Sequence, residues 1–583
     1  MIEVHAELTA GRRDIVLVAG GPHEEIAYAA RRLQRLTPVF RKSNPPGALL
    51  VPATWPAVVQ LSRAFGQAWR PGPVLTAWMA EQVAARTKVE RPLEYEIPTG
   101  LTPYPWQVEG AQIIAATGRA LITDEPGTGK TITTILGLVE RRDVTPVVVV
   151  CPASVVDPWV DAWRLWVPSW RVVAWRGTPA ARHALAGTAE VYVVSYDTAR
   201  NDAPASGVPV RPLLDLHPVS VVIDECHLAK TPSAQRSKAV RRLAKTASTV
   251  VALSGTPITH NPADLWPTLA AMEPDAWPSR ERWVRRYCET VQGDYGEDVL
   301  GLDAGTEPEF RLTLLGQTRR VAKADVLEQL PPKVYGVRTV ELPREWRKAY
   351  DDMEADMLAE LPDGEELSVM SVLAQLTRLS QLASAAADVS VRTEVTDDGT
   401  ERQHVTVTLK APSWKVDALL EVLAERPREP VVTFAPSKQL IMLAGQAAEM
   451  AGYRVGYVVG GQSMDTRTDT VAAFQAGELD LLCATTGAGG VGLTFTAART
   501  AVFLQRPWSL VEALQAEDRC HRIGSEQHDS VEIIDVVAAK TVDTRVRAVL
   551  RDKAGQLAEL VQDPRIVAEL LGGASVSRLR KVS

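Results

Sequence analysis

Eight consecutive residues, Asp124-Glu125-Pro126-Gly127-Thr128-Gly129-Lys130-Thr131, carry the clearest chemical signal in the chain. The strand-like run Ala120 to Thr123 precedes them, and the helical pattern Ile132 to Val139 follows. Strand, glycine-bearing turn and helix are the parts of a phosphate loop, whose glycines let backbone amides curl round phosphate oxygens at a helix N-terminus. In that geometry Glu125, Gly127, Thr128 and Gly129 form the cradle. Lys130 reaches the β- and γ-phosphates, and the Thr131 hydroxyl ligates Mg²⁺. Asp124 stands where the usual pattern has its first glycine. A glycine-rich turn with a surface lysine is the plain alternative, and the flanking strand and helix argue against it.

A second chemical site lies at Val221-Val222-Ile223-Asp224-Glu225-Cys226-His227. A strand ending in two carboxylates suits nucleotide hydrolysis, with Asp224 holding Mg²⁺ and Glu225 orienting or deprotonating the attacking water. A third is Gln515, Arg519 and Arg522, whose spacings of four and three predict one face of a helix. Taken alone, that stripe also fits a solvated surface. Beside a phosphate loop elsewhere in the chain, it fits arginine fingers that neutralise transition-state charge.

The elements that must position these groups are legible as apolar runs. Pro146 to Val150, Val191 to Val194, Val221 to Ile223 and Val250 to Leu253 are short, continuous and β-branched. A second set follows at Pro430 to Phe434, Arg454 to Val458, Leu481-Leu482 and Thr500 to Leu504. Such runs predict strands buried on both faces of parallel sheets. Between the sets, a helix-rich stretch contains Val391 to Val395 and Val405 to Leu409 around Asp398-Gly399, the pattern of a tight hairpin. Ahead of them, Ile15 to Val18 and Ala48 to Val51 are strand-like, while Glu24 to Leu36 and Trp55 to Trp69 have helical spacing. The expected division is an N-terminal α/β accessory domain over 1-98 and a first lobe over 99-275. A helical insertion and linker with a hairpin over 276-412, a second lobe over 413-548 and a helical tail over 549-583 complete it.

A chain of 583 residues is too long for one core. With 46% hydrophobic and 23% charged residues it has the balance of a globular protein. No apolar run reaches the roughly 18 residues of a membrane helix, so no membrane is expected among its partners. The opening MIEVHAELTAGRRD has no apolar signal core, which makes a cytoplasmic location the expectation. Cys151, Cys226, Cys288, Cys483 and Cys520 are scattered without metal-ligand spacing and read as free thiols. Lys and Arg total 64 against 71 acidic residues, a net charge of -7. Local basic grooves on an acidic body are enough for a nucleic-acid track that must be released and regripped.

Together the motifs identify a family. DEPGTGKT, DECH, Leu253-Ser254-Gly255-Thr256-Pro257 and Gln515 to Gly524 resemble, in order, motifs I, II, III and VI of Swi/Snf-type ATPases of helicase superfamily II. Cys151-Pro152-Ala153-Ser154 with Trp159 resembles motif Ia, and Ser195-Tyr196 the DNA-contact motif after it. Arg319-Arg320 with Lys323, and Leu330 to Lys333, resemble the signature after the first lobe. Gly460-Gly461 with Arg467 and Phe474 resembles the segment before motif V, and Thr485 to Leu493 motif V itself. The resemblance covers about residues 100 to 548. It implies an α/β fold of two RecA-like parallel-sheet lobes that close on Mg·ATP and step along a DNA duplex. It also implies that Gln107, with Trp106 or Tyr104 beside it, reads adenine, that Gly492 lies near the nucleotide, and that Ser154, Ser195, Thr256, Arg467, Thr485 and Thr486 touch DNA. Cys226, Thr494-Phe495, Gln505 and Ser525 depart from the family pattern without removing a catalytic group.

The resemblance points to a DNA-dependent ATPase and double-stranded DNA translocase acting on duplex or forked DNA, similar to the annealing-helicase (HARP-like) subgroup. A minimal monomeric member from a bacterial cell or a phage-infected host is expected, and no protein partner can be named. A strand-separating helicase, a nucleic-acid-gated ATP switch or recruitment module, and a factor stripping proteins from DNA are the rival readings. In the N-terminal domain, Trp55, Trp69 and Trp78 among Arg31, Arg32, Arg35, Arg41, Lys42 and Arg63 fit either a nucleic-acid grip or core tryptophans beneath solvated arginines.

Overall fold

The structure, a computed structural model, describes residues 3–19, 23–42, 48–86, 92–205, 211–255, 262–293, 296–314, 317–327, 329–359, 369–395, 401–487, 493–522 and 524–548. The expected tail at 549-583, the Asp398-Gly399 turn, Thr256 and Gly492 lie outside the described residues. The chain divides into two compact units, Met1–Val326 and Leu327–Ser583.

The first unit opens with a five-stranded sheet in the order Arg41–Lys42, Leu49–Pro52, Asp14–Ala19, Val4–Leu8, Trp69–Pro71. Its pairs are antiparallel except the last, which is parallel. Alternation along Val4–Leu8 turns Val4, Ala6 and Leu8 inward against Ile15, Leu17 and Val51. Helix Trp55–Phe65 covers that face through Ala57, Val58 and Leu61. Thr54 caps it by accepting from the Ala57 amide at 3.2 Å, and Gly66, at φ +51°, ends it. Trp55, Trp69 and Trp78 are all buried, so they are core and not an exposed stacking surface.

The phosphate-loop strand Arg119–Ile122 belongs to a seven-stranded sheet. Its order is Thr318–Arg319, Arg119–Ile122, Thr249–Leu253, Ser220–Asp224, Val147–Cys151, Val191–Ser195, Val172–Ala174, parallel throughout. Four of these strands are buried at nearly every residue, which is why their sequences are apolar runs without alternation. The two edge strands, Thr318–Arg319 and Val172–Ala174, were not apparent from apolar runs. The stretch from residue 276 on was expected to be helix-rich, and its first part runs between the sheet strands Thr249–Leu253 and Thr318–Arg319. It holds helices Arg280–Tyr287 and Glu307–Thr313, and also an antiparallel hairpin, Cys288–Gly293 with Gly296–Leu302.

The second unit is built on a six-stranded parallel sheet ordered Lys333–Val340, Val531–Ala538, Thr500–Phe503, Val431–Ala435, Leu481–Thr485, Val455–Val458. Helices Trp414–Glu425 and Lys438–Met450 pack on one face through Leu419, Val422, Leu440 and Ile441. The hairpin Ala386–Val395 with Glu401–Lys410 is present and pairs Val391 with Val405. The two parallel sheets with helices, plus the small N-terminal α/β sheet, constitute the expected fold class.

Candidate functional site

In the first unit, the phosphate loop, the acidic strand end and the loops after Cys151, Ser195 and Leu253 all leave the carboxyl edge of one parallel sheet. That edge is where open α/β sheets bind ligands. Gly127 and Gly129 adopt φ of +89° and +88°, backbone that a Cβ-bearing residue takes only with strain. Gly129 caps helix Lys130–Val139, so the loop amides gather at a helix N-terminus.

Side chains from outside the loop brace it. Trp106 Nε1 and Gln107 Nε2 both donate to the Thr128 carbonyl, at 3.0 and 3.2 Å. Gln107 Oε1 accepts from the Tyr104 amide at 3.0 Å. The Tyr104 and Trp106 rings stack 4.3 Å apart, with Trp106 buried and Tyr104 exposed. Glu125 Oε2 accepts from the Lys323 amide at 2.9 Å, and Arg320 Nη2 lies 3.5 Å from Glu125 Oε1. Arg319 donates to the Trp106 carbonyl and lies 3.9 Å from buried Asp124. Lys130 Nζ is bonded to the carbonyls of Asp124 and Glu125, at 2.8 and 3.3 Å. It therefore has carbonyl partners that incoming phosphate oxygens can replace.

Asp224 ends its strand under two donors: Trp159 Nε1 reaches Oδ2 at 2.8 Å, and the Glu225 amide reaches Oδ1 at 3.0 Å. Burial, then the neighbouring Glu225 charge, pushes its carboxyl up to about 7. Glu225 sits at φ +48°, a left-handed conformation rare for this residue type, which turns its side chain off the strand line. Its Oε2 is 3.3 Å from His227 Nδ1, and that nitrogen is 3.0 Å from Ser254 Oγ. His227 thus ties the acidic pair to the loop after Leu253. Burial, then Lys230 and Lys130, lowers the His227 pKa to about 4, so the imidazole is neutral.

This edge suits a hard cation. Two carboxylates are buried side by side, and burial disfavours the charge they carry. Among the described residues no group of three or more His, Cys, Asp or Glu is arranged to hold a metal. An ion here would draw on Asp224 and Thr131 together with phosphate oxygens and water, the mixed shell that Mg²⁺ takes.

In the second unit the helix predicted to carry Gln515, Arg519 and Arg522 ends at Glu517. Gln515 is on the helix; Arg519 and Arg522 follow it in turns. The break coincides with two buried carboxylates pulled aside. Glu517 is gripped by Arg506 at 2.5 Å and lies 2.9 Å from Tyr335 Oη, while Asp518 is 3.1 Å from Lys333 Nζ. Arg519 is buried between Phe434 and Phe495 and donates to the Thr486 carbonyl at 3.2 Å. Its Nη1 makes no hydrogen bond among the described residues. Burial, then the Arg522 charge, lowers its pKa to about 10. Arg522 donates to the Asp518 carbonyl at 3.1 Å.

The residues expected to touch DNA are placed unevenly. Ser154 and Ser195 are half-buried at the sheet edge, and the Ser195 hydroxyl caps helix Tyr196–Asp202. Arg467 donates to the Val459 carbonyl at 3.1 Å. Thr485 and Thr486 are buried. Trp159 as a partner of Asp224, and His227 as a link to Ser254, were not apparent from sequence.

Comparison with known proteins decides the family. The SNF2-related domain matches residues 76–386, and the helicase conserved C-terminal domain matches 414–524. The chain belongs to the SNF2-related family. It is a helicase-like ATP hydrolase of superfamily II, and its nucleotide is ATP. The SWI/SNF-related matrix-associated actin-dependent regulator of chromatin subfamily A-like protein 1 of Xenopus tropicalis is 28% identical over 83% of this chain and 48% of its own length. The DNA annealing helicase and endonuclease ZRANB3 of Bos taurus is 26% identical over 77% of this chain and 40% of its own. The chain spans less than half the length of these relatives. The solved Sulfolobus solfataricus SWI2/SNF2 ATPase core in complex with dsDNA is 18% identical over 82% of this chain and 99% of that one, at a TM-score of 0.38. Within this SNF2-related ATPase the five cysteines are free and buried, and no described helix is long and apolar enough to cross a membrane.

Proposed function

We propose that this ATPase is DNA-dependent and translocates along double-stranded DNA, remodelling DNA structures or protein–DNA complexes, forked DNA among them. The observation that carries the reading is the shared sheet edge. The phosphate loop, the Asp224–Glu225 pair and the loops beginning at Ser154, Ser195 and Ser254 emerge together, so a track on those loops lies next to the hydrolytic groups. The names of the relatives agree, since one is called a DNA annealing helicase.

In this reading Lys130 leaves the Asp124 and Glu125 carbonyls to bind the β- and γ-phosphates. Asp224 and Thr131 would hold Mg²⁺, which would supply charge neutralisation on the phosphates. Glu225 orients the attacking water and takes its proton. Gln107 and the exposed Tyr104 ring flank the base. Arg519 and Arg522, with Gln515, neutralise charge developing on the γ-phosphate. Arg519 suits this because, among the described residues, its buried guanidinium makes no ion pair and its Nη1 makes no hydrogen bond. Ser154, Ser195, Arg467, Thr485 and Thr486 serve the DNA backbone, and the module at 1-98 recognises the DNA structure.

The test is steady-state ATP hydrolysis by the purified chain, alone and with duplex, forked or single-stranded DNA or RNA, with Lys130→Ala as the blank. Strong stimulation by duplex supports the proposal. Stimulation by single strands or RNA alone replaces it with the strand-separating reading.

A further inference from the structure

The N-terminal sheet domain and the segment between strands Thr249–Leu253 and Thr318–Arg319 meet around a cavity of about 570 Å³. Its lining holds Arg31, Arg32, Arg35, Arg63 and Arg286 against a single carboxylate, Glu309. On a chain of net charge -7, that is a local reversal of sign.

Glu309 is itself committed. It is buried and accepts from Arg286 Nε and Nη2 at 2.9 and 2.6 Å and from Tyr287 Oη at 2.9 Å. Arg63 Nε approaches it at 4.0 Å, so one carboxylate serves two guanidinia. Arg32 donates to the Ala64 carbonyl. Among the described residues the Arg31 and Arg35 side chains make no hydrogen bond or ion pair, and both are exposed at the cavity rim. Clustered guanidinia repel one another, and a cluster held by three helices and the turn that follows the first asks for an anion.

The framework is rigid enough to present them together. Trp55 Nε1 donates to the Leu312 carbonyl at 2.9 Å, and Arg282 Nη1 reaches the Leu36 and Pro38 carbonyls at 3.3 and 3.2 Å. These bonds fix the arginine helices of the N-terminal domain on the helices that carry Arg286 and Glu309.

We propose that this cavity binds the phosphodiester backbone of a DNA strand, a second contact away from the ATP site; the inference rests on the DNA-dependent reading above. Guanidinium forks match phosphate oxygens bidentately. The volume lies in the range of ligand sites, about 300–1,000 Å³, and admits a sugar-phosphate segment. No aromatic ring lines it, and the remaining lining is Leu36, Ala64 and Gly305. The site therefore grips backbone without reading bases.

The experiment is equilibrium binding of fluorescein-labelled forked and duplex DNA by the full chain across a salt series. The variants are Arg31→Gln with Arg35→Gln, and, as a charge-matched control in the same domain, Arg12→Gln with Arg70→Gln. Circular dichroism melts check folding. The pocket variant is expected to bind about tenfold more weakly, with a salt slope shallower by about 2, and the control is expected to match wild type. Equal affinity and slope in the pocket variant overturn the pocket and leave the DNA-dependent reading standing. Wild type that binds no DNA overturns both. Small polyphosphates share the chemistry, so pyrophosphate is titrated into Lys130→Ala with and without the pocket substitutions. Pocket-sensitive pyrophosphate binding without pocket-sensitive DNA binding overturns the DNA assignment.

Discussion

The indole of Trp159 donates to Asp224 Oδ2 at 2.8 Å, joining the helix Val156–Trp166 to the acidic end of strand Ser220–Asp224. The bond opposes what burial and Glu225 do to that carboxyl, because it favours the charged form. It also fixes which way the carboxylate faces. Trp159→Phe keeps the ring in its buried slot and removes only the donor. A hydrogen bond to a charged group is worth about 1.5–3 kcal/mol. The Mg²⁺ concentration needed for half-maximal ATP hydrolysis should therefore rise by about tenfold or more, in a protein that still folds cooperatively. An unaltered Mg²⁺ dependence would remove Trp159 from the site.

Two arginines in the second unit test the difference between structural and functional charge. Arg506 is held by Glu517 at 2.5 Å and by Asp535 at 2.6 Å, and those carboxylates raise its pKa against the cost of burial. Arg519 is buried with a carbonyl and two phenyl rings for company. Arg506→Ala leaves two buried carboxylates short of a partner and should cost about 3–5 kcal/mol of stability. Arg519→Ala should leave stability unchanged or improved while ATP turnover is lost and nucleotide binding is kept. Thermal melts and ATPase rates on both proteins check this. A strongly destabilised Arg519→Ala with residual turnover would reverse the assignment.

These contrasts also mark how far sequence reasoning reached. Val147–Cys151 and Thr249–Leu253 were legible because both faces are buried, so nothing polar interrupts the run. Val531–Ala538 was missed although it is also paired on both sides, because Glu532 and Asp535 break the apolar pattern. The fold makes them tolerable with arginines from outside the strand, Arg426 for Glu532 and Arg506 and Arg547 for Asp535. Thr318–Arg319 is a strand only through its pairing with Leu121 and Ile122, which no local pattern encodes. The phosphate loop and Asp224–Glu225 were readable as local motifs. The Trp159 and His227 contacts were not, since each depends on which strand ends the sheet order makes neighbours.

His227 gives a pH dependence with a definite sign. Its pKa in the fold is about 4, held down first by burial and then by Lys230 and Lys130, against an ordinary value of 6.5. Between those values the unfolded chain binds a proton that the folded chain does not, so stability falls as pH drops from 6.5 towards 4. The full contribution is at most roughly 3 kcal/mol. His227→Gln should flatten the dependence of melting temperature on pH in this window while leaving it unchanged above pH 7. Parallel pH profiles for the two proteins would show that the imidazole is not the group responsible.

Gly129 tests whether the loop and the Gln107 helix are coupled. A Cβ built there would lie 2.1 Å from Gln107 Nε2, on backbone at φ +88°. The conformation costs a side chain about 1–2 kcal/mol, and the clash is with the end of a flexible side chain. Gly129→Ala should therefore fold, with Gln107 displaced from the Thr128 carbonyl that it now bonds at 3.2 Å. ATP affinity should weaken by about tenfold, the size of effect expected when a cradle amide moves with its loop. Gln107→Ala makes room for the new methyl, so adding it to Gly129→Ala should cost less than the sum of the two single effects. Nucleotide titrations of the four proteins measure that coupling. Strict additivity would mean that the two residues act on ATP independently despite their contact.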